Sequence, residues 1–133
     1  MDINVAHVDE RLIVLDKPSG LLSQPGRGPD KRDSLAGRVA DARPGARIVH
    51  RLDQPTSGLI VMARDADTHR RLSIQFEKRK VEKRYEALAW GQVAEDEGEI
   101  DLPLRLDLDD RPRQIVDHGQ GKPTQTRWRV IER

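Results

Sequence analysis

Within the stretch VHRLDQPTSGL, Val49 to Leu59, an imidazole, a guanidinium and a carboxylate fall inside four residues: His50, Arg51 and Asp53. A carboxylate in such a setting can act as a nucleophile, a general base or a metal ligand. Gly58 permits a tight backbone approach, and Thr56 and Ser57 offer donors that can fix the turn or the carboxylate. The same residues have a plainer use, because Arg51 and Asp53 can brace a turn through an ion pair. Residue types alone leave both uses open.

Two other chemistries are poorly supported. HRLD resembles the His-Arg-Asp loop of protein kinases, but the later asparagine, an Asp-Phe-Gly and an upstream glycine-rich loop are missing. His7, His50, His69 and His118 are scattered without ligand spacing, so no metal site is expected.

The elements that must carry this motif are legible in part. Two short strands are expected around Asn4 to His7 and Leu12 to Leu15, joined by the polar turn Asp9-Glu10-Arg11. Lys17-Pro18-Ser19-Gly20 breaks the sheet, and QPGRGPDKRD is loop. Ser34 caps a helix with Leu35, Ala36, Val39 and Ala40 at helical spacing. Ile48 and Val49 lead into the motif, and Leu59 to Met62 reads as a strand buried on both faces, so the motif is a loop between strands, where reactive side chains usually sit. Asp67 is the expected cap of a helix from Thr68 to about Lys80, with Leu72 and Phe76 facing inward. From Val81 to Trp90 the period changes to two, the mark of a strand. The acidic AEDEGEIDLPL reads as an exposed hairpin, and PTQTRWRVI as a final strand. Trp90 and Trp128 are expected to pack.

Composition bounds the function. The chain of 133 residues suits one domain at most, lacks cysteine, and has no apolar run near the roughly 18 residues of a membrane span. A cytoplasmic protein without a membrane partner is expected. The net charge of +1 conceals segregation. Residues 64–84 hold eight Lys or Arg against four acids, and residues 92–110 hold eight acids against Arg105 alone. Such alternation suggests a polyanion-binding face beside a repelling flank, with an ordinary solvated surface as the alternative for each block.

Three motifs in order, DKPSGLLSQPGR from Asp16, VHRLDQPTSGLIVMAR from Val49 and KRYEALAWG from Lys83, closely resemble the RluA family of pseudouridine synthases. The closing DRPRQIVDHGQGKPTQTRW resembles the continuation in the subgroup acting on large-subunit ribosomal RNA and transfer RNA. The resemblance implies an isomerase that breaks the N-glycosidic bond of a uridine, turns the freed base and reattaches it through carbon five, with neither cofactor nor metal. It implies that Asp53 is the catalytic carboxylate, that Arg51 takes part in flipping the nucleotide, and that Tyr85 packs on the base. A cationic side chain can fill the gap an extruded base leaves. RNA, ribosomal or transfer, is the implied partner, with His50, Arg64, Arg71, Lys78, Arg79 and Lys80 as candidate contacts.

The expected fold class is α+β, a mainly antiparallel mixed sheet with flanking helices. Family members continue past the equivalent of Arg133 with a TGRxHQLR-type motif, whose arginine pairs with the catalytic aspartate and which this sequence does not contain. Residues 1–133 are therefore expected to be the N-terminal and central part of the catalytic domain, with the C-terminal part missing. The alternative is a catalytically inactive RNA-binding module.

Overall fold

Ile13, Leu15 and Lys17 alternate with Leu12, Val14 and Asp16, so a strand here must turn one set inward. In the computed structural model, which describes residues 2–133, it does. Strands β1 (Asn4–Val8) and β2 (Leu12–Lys17) form the expected hairpin. Asp9 Oδ1 closes the turn by accepting from the amides of Arg11 at 2.8 Å and Leu12 at 2.9 Å. β2 pairs antiparallel with β4 (Gly58–Ala63), and the short β3 (Arg47–Ile48) lies along the other side of β4, giving the order β1-β2-β4-β3.

Register then builds the core. Ile13 stands opposite Met62 and Leu15 opposite Ile60, forming one apolar face. Helix α1 (Leu35–Ala42) brings Leu35 and Val39 to the same cluster, joined by Ile3, Leu21 and Leu52. Each fully buried side chain of this kind contributes about 1.5–3 kcal/mol. As expected, Ser34 caps α1, its hydroxyl accepting from the Gly37 amide at 3.1 Å.

Several expectations need correction. β4 is buried on both faces only toward its end: on the face opposite Ile60 and Met62, Ala63 is buried and Val61 half-buried, but Leu59 is 62% exposed. Helix α2 (Ala66–Glu77) is capped by Asp65, not Asp67. Asp65 has the extended backbone of a cap and accepts from the Thr68 amide at 2.7 Å, whereas Asp67, inside the first turn, pairs with Arg70 at 3.0 Å and Arg71 at 2.9 Å. The helix also ends before Lys80, since Arg79 turns into the left-handed region at φ 54°. Finally, Val81–Trp90 forms no strand. The alternation is present, but no other strand among the described residues pairs with it, and a strand requires a partner for its backbone groups. Trp90 is fully exposed rather than packed.

These elements through α2 belong to a compact unit ending at Tyr85, and Glu86–Arg133 make a second. The second is a three-stranded antiparallel sheet, β6-β5-β7, of β5 (Glu97–Leu106), β6 (Gln114–Val116) and β7 (Lys122–Arg129). β7 matches the expected final strand, whereas the acidic segment expected to form a hairpin runs instead as the single strand β5, and β6 was not anticipated. Gly98 faces Trp128 across the ladder, where a β-carbon would meet the indole at 2.6 Å, so glycine lets the half-buried ring lie over the neighbouring strand. No helix among the described residues is long and apolar enough to cross a membrane.

Candidate active site

Because Lys17 stands opposite Gly58, the loop leaving β2 and the loop entering β4 emerge at the same end of the first sheet. The first holds Pro18 to Ser23 and the second holds His50, Arg51 and Asp53. Hydrogen bonds join them on both sides of Asp53. Before it, the buried Ser23 hydroxyl donates to the Leu52 carbonyl at 2.5 Å and accepts from the Leu52 amide at 2.9 Å. After it, the Gly20 amide donates to the Gln54 carbonyl at 2.8 Å, the Gln54 side chain returns a bond to the Gly20 carbonyl at 3.0 Å, and the Ser19 hydroxyl donates to the Pro55 carbonyl at 2.6 Å. Gly20 makes this approach with φ 91°, a conformation L side chains rarely adopt. The Thr56 amide closes the turn on the Asp53 carbonyl at 3.0 Å. Asp53 thus has a fixed backbone and an exposed side chain.

Lys17 lies beneath this turn, with 0% of its surface exposed. Its ammonium donates to the carbonyls of Leu21 at 2.6 Å, Pro18 at 3.0 Å and Gln54 at 3.2 Å. Burial lowers the Lys17 pKa, and the nearby Asp53 carboxylate opposes that shift. A cation is therefore built into the floor of the loop that carries Asp53. Sequence reasoning treated Lys17 and Ser19 as a sheet break and gave Ser23 no role, although Lys17 shares the inward strand face of Ile13 and Leu15, which was the available signal.

Among the described residues no ion pair joins Arg51 to Asp53, so the turn is braced by the first loop instead. Arg51 and Asp53 are exposed neighbours on one loop. His50 is half-buried: its Nε2 accepts from the Val61 amide at 3.0 Å, and its ring stacks on Phe76, with centroids 4.4 Å apart at 15°. That stack brings the C-terminal end of α2, and with it Lys78, Arg79 and Lys80, to the end of the sheet that carries Asp53. The segment after α2 passes close enough for Lys83 to act on His50, two residues before Tyr85, which is 60% exposed. Arg64 and Arg71 lie elsewhere. Arg64 follows β4 at the opposite end of the sheet, where it donates to the Asp9 carbonyl, and Arg71 pairs with Asp67.

A buttressed, exposed carboxylate beside a buried cation, with basic residues at the adjoining helix end, suits chemistry on a polyanion. Comparison with known proteins identifies the class. The model of the RNA pseudouridylate synthase family matches residues 11–133, and the chain belongs to that family. It is 48% identical over 129 residues to the dual-specificity RNA pseudouridine synthase RluA of Yersinia pestis, covering 97% of this chain and 63% of that protein. The RluA of Escherichia coli strain K12 is 44% identical over 128 residues, 96% of this chain and 58% of the relative. The chain thus spans less than two thirds of these relatives. Among solved structures, human RNA pseudouridylate synthase domain containing 1 shares the fold at a TM-score of 0.70 and 22% identity, over 95% of this chain and 50% of that one.

Proposed function

We propose that the protein isomerises uridines to pseudouridine in RNA, ribosomal or transfer, with Asp53 as the catalytic carboxylate. The observation carrying this reading is that the backbone on both sides of Asp53 is held while its carboxylate faces outward. Positioning of this kind is what a reacting group requires. Asp53 either attacks the sugar carbon or takes the proton of the neighbouring carbon. The bond from N1 to the sugar breaks, the base turns, and carbon five bonds to the sugar carbon as the Asp53 carboxylate is displaced from it or returns the proton to its neighbour; the proton then lost from carbon five balances the one gained at N1. Arg51 fills the gap left by the extruded nucleotide, and Tyr85 packs on the base. Lys78, Arg79 and Lys80 at the end of α2 supply phosphate contacts near the reacting carboxylate. Arg64 and Arg71, at the other end of the sheet and engaged there, are reserved for more distant RNA.

The test is mass-resolved detection of pseudouridine in unmodified ribosomal and transfer RNA. The Asp53→Asn variant is expected to lose at least about 10⁴-fold in rate while retaining RNA affinity. Undiminished product from Asp53→Asn would overturn the assignment. RNA binding with no product from the unsubstituted protein would favour a binding module.

A further inference from the structure

Two histidines meet the backbone where β3 ends, and their partners impose opposite roles. The Ile48 carbonyl lies 3.1 Å from His69 Nε2. A carbonyl only accepts, so that nitrogen carries a proton. The Val61 amide lies 3.0 Å from His50 Nε2. An amide only donates, so this nitrogen is bare, and the neutral His50 ring holds its proton on Nδ1. β3 stops at Ile48, and the His50 imidazole serves the Val61 amide where a longer edge strand would have placed a carbonyl. The stack on Phe76 ties the same ring to α2.

We propose that His50 is a positioning residue for Arg51 and Asp53 that works only as a neutral imidazole, holding the start of their loop against β4 and α2 until protonation releases it. The proposal rests on the isomerase reading above and deepens it. The two rings differ in their response to acid. An imidazolium at position 69 still donates to Ile48, whereas an imidazolium at position 50 has no lone pair left for Val61. The neighbours facing His50 are Phe76 from α2, the Val61 amide from β4 and Lys83 from the segment after α2. Lys83, the charged one, repels a second cation. Burial acts in the same direction and more strongly, so His50 titrates below its ordinary value of 6.5. A half-buried ring whose Nε2 is engaged by the backbone serves the loop rather than the RNA.

Two substitutions separate its contacts. His50→Phe keeps a ring for Phe76 but has no acceptor, and His50→Gln places an amide oxygen near the position of Nε2 but does not titrate. Pseudouridine formation would be followed between about pH 5 and pH 8, with nitrogen NMR of the imidazoles and amide exchange at Val61 recorded on the same proteins. His50→Phe is expected to lower kcat about 10- to 100-fold with RNA affinity unchanged and faster exchange at Val61. His50→Gln should recover most of that loss and lack the acid limb of the unsubstituted protein that follows His50 titration. The neutral ring should show a bare Nε2.

A protonated Nε2 in neutral His50, Val61 exchange unaffected by Phe, or full kcat in His50→Phe would each overturn the proposal. If the unsubstituted protein makes no pseudouridine, the isomerase reading fails, and the NMR and exchange data still decide whether His50 holds the loop. If His50→Phe does not fold, the pH profile of His50→Gln and the imidazole spectrum decide it.

Discussion

The two units of this chain are stabilised in different ways. The first encloses Ile13, Leu15, Leu35, Val39, Ile60 and Met62 without exposed surface, whereas no residue of Glu86–Arg133 is buried. The second is a ladder whose order comes from strand pairing, the Trp128 ring over Gly98, and the ion pair of Arg105 with Asp117. The candidate site sits on the unit with the core. Loops hold a reacting group accurately only when the strands beneath them are rigid, and a close-packed core provides that rigidity.

Substitution at matched aliphatic positions should break this contrast open. Leu15→Ala leaves a cavity and should cost about 2–5 kcal/mol, read by denaturant unfolding. Ile100→Ala, on a residue 48% exposed, should cost well under about 2 kcal/mol, scaled from the partial burial of its apolar surface. Equal losses would mean that the second unit has a core of its own.

A smaller effect sharpens the link between core and site. Ser23→Ala strips both backbone groups of Leu52 of their shared partner and should cost about 1–3 kcal/mol. Pseudouridine formation should fall with it, because the backbone preceding Asp53 is then held only through its other contacts. An unchanged rate would show that the Ser23 bridge does not position Asp53.

The smallest effect belongs to the second unit. The Arg105 guanidinium, with the amides of Gln120 and Gly119, holds the Asp117 carboxyl down to about 2. A carboxylate lowered in the folded state stabilises fully above its ordinary pKa near 3.8 and loses that contribution as the pH falls through about 2. Amide exchange in β6 should therefore quicken between those values. Exchange that stays constant across the window would remove the ion pair from the account of this unit. Asp9, also held near 2 by His7 and the amides of Leu12 and Arg11, should loosen the β1–β2 turn over the same range without opening the core beneath it.

Much of the first unit was legible. The polar turn before the strand at Leu12–Leu15, the Ser34 cap with its helical spacing and the apolar run Leu59–Met62 located β2, α1 and β4, because burial imposes a pattern that the chain must carry. The same argument failed at Val81–Trp90, where the period is present and no partner strand is. It also missed β6, whose three residues are too few to show a period. At α2 the expected cap was Asp67, and the extended backbone entering the helix at Asp65 put the cap two residues earlier.

For the site, residue types left Asp53 and Arg51 open between chemistry and bracing a turn, and only the resemblance of three motifs in order made them the candidates. Which groups hold Asp53 was decided by the antiparallel register that sets Lys17 against Gly58 and so brings two loops, some thirty residues apart, to one end of a sheet. A hydrogen bond between distant segments leaves no period in either of them. Ser23 on Leu52, Lys17 under Gln54 and His50 on Val61 could be seen only once the strands had been paired.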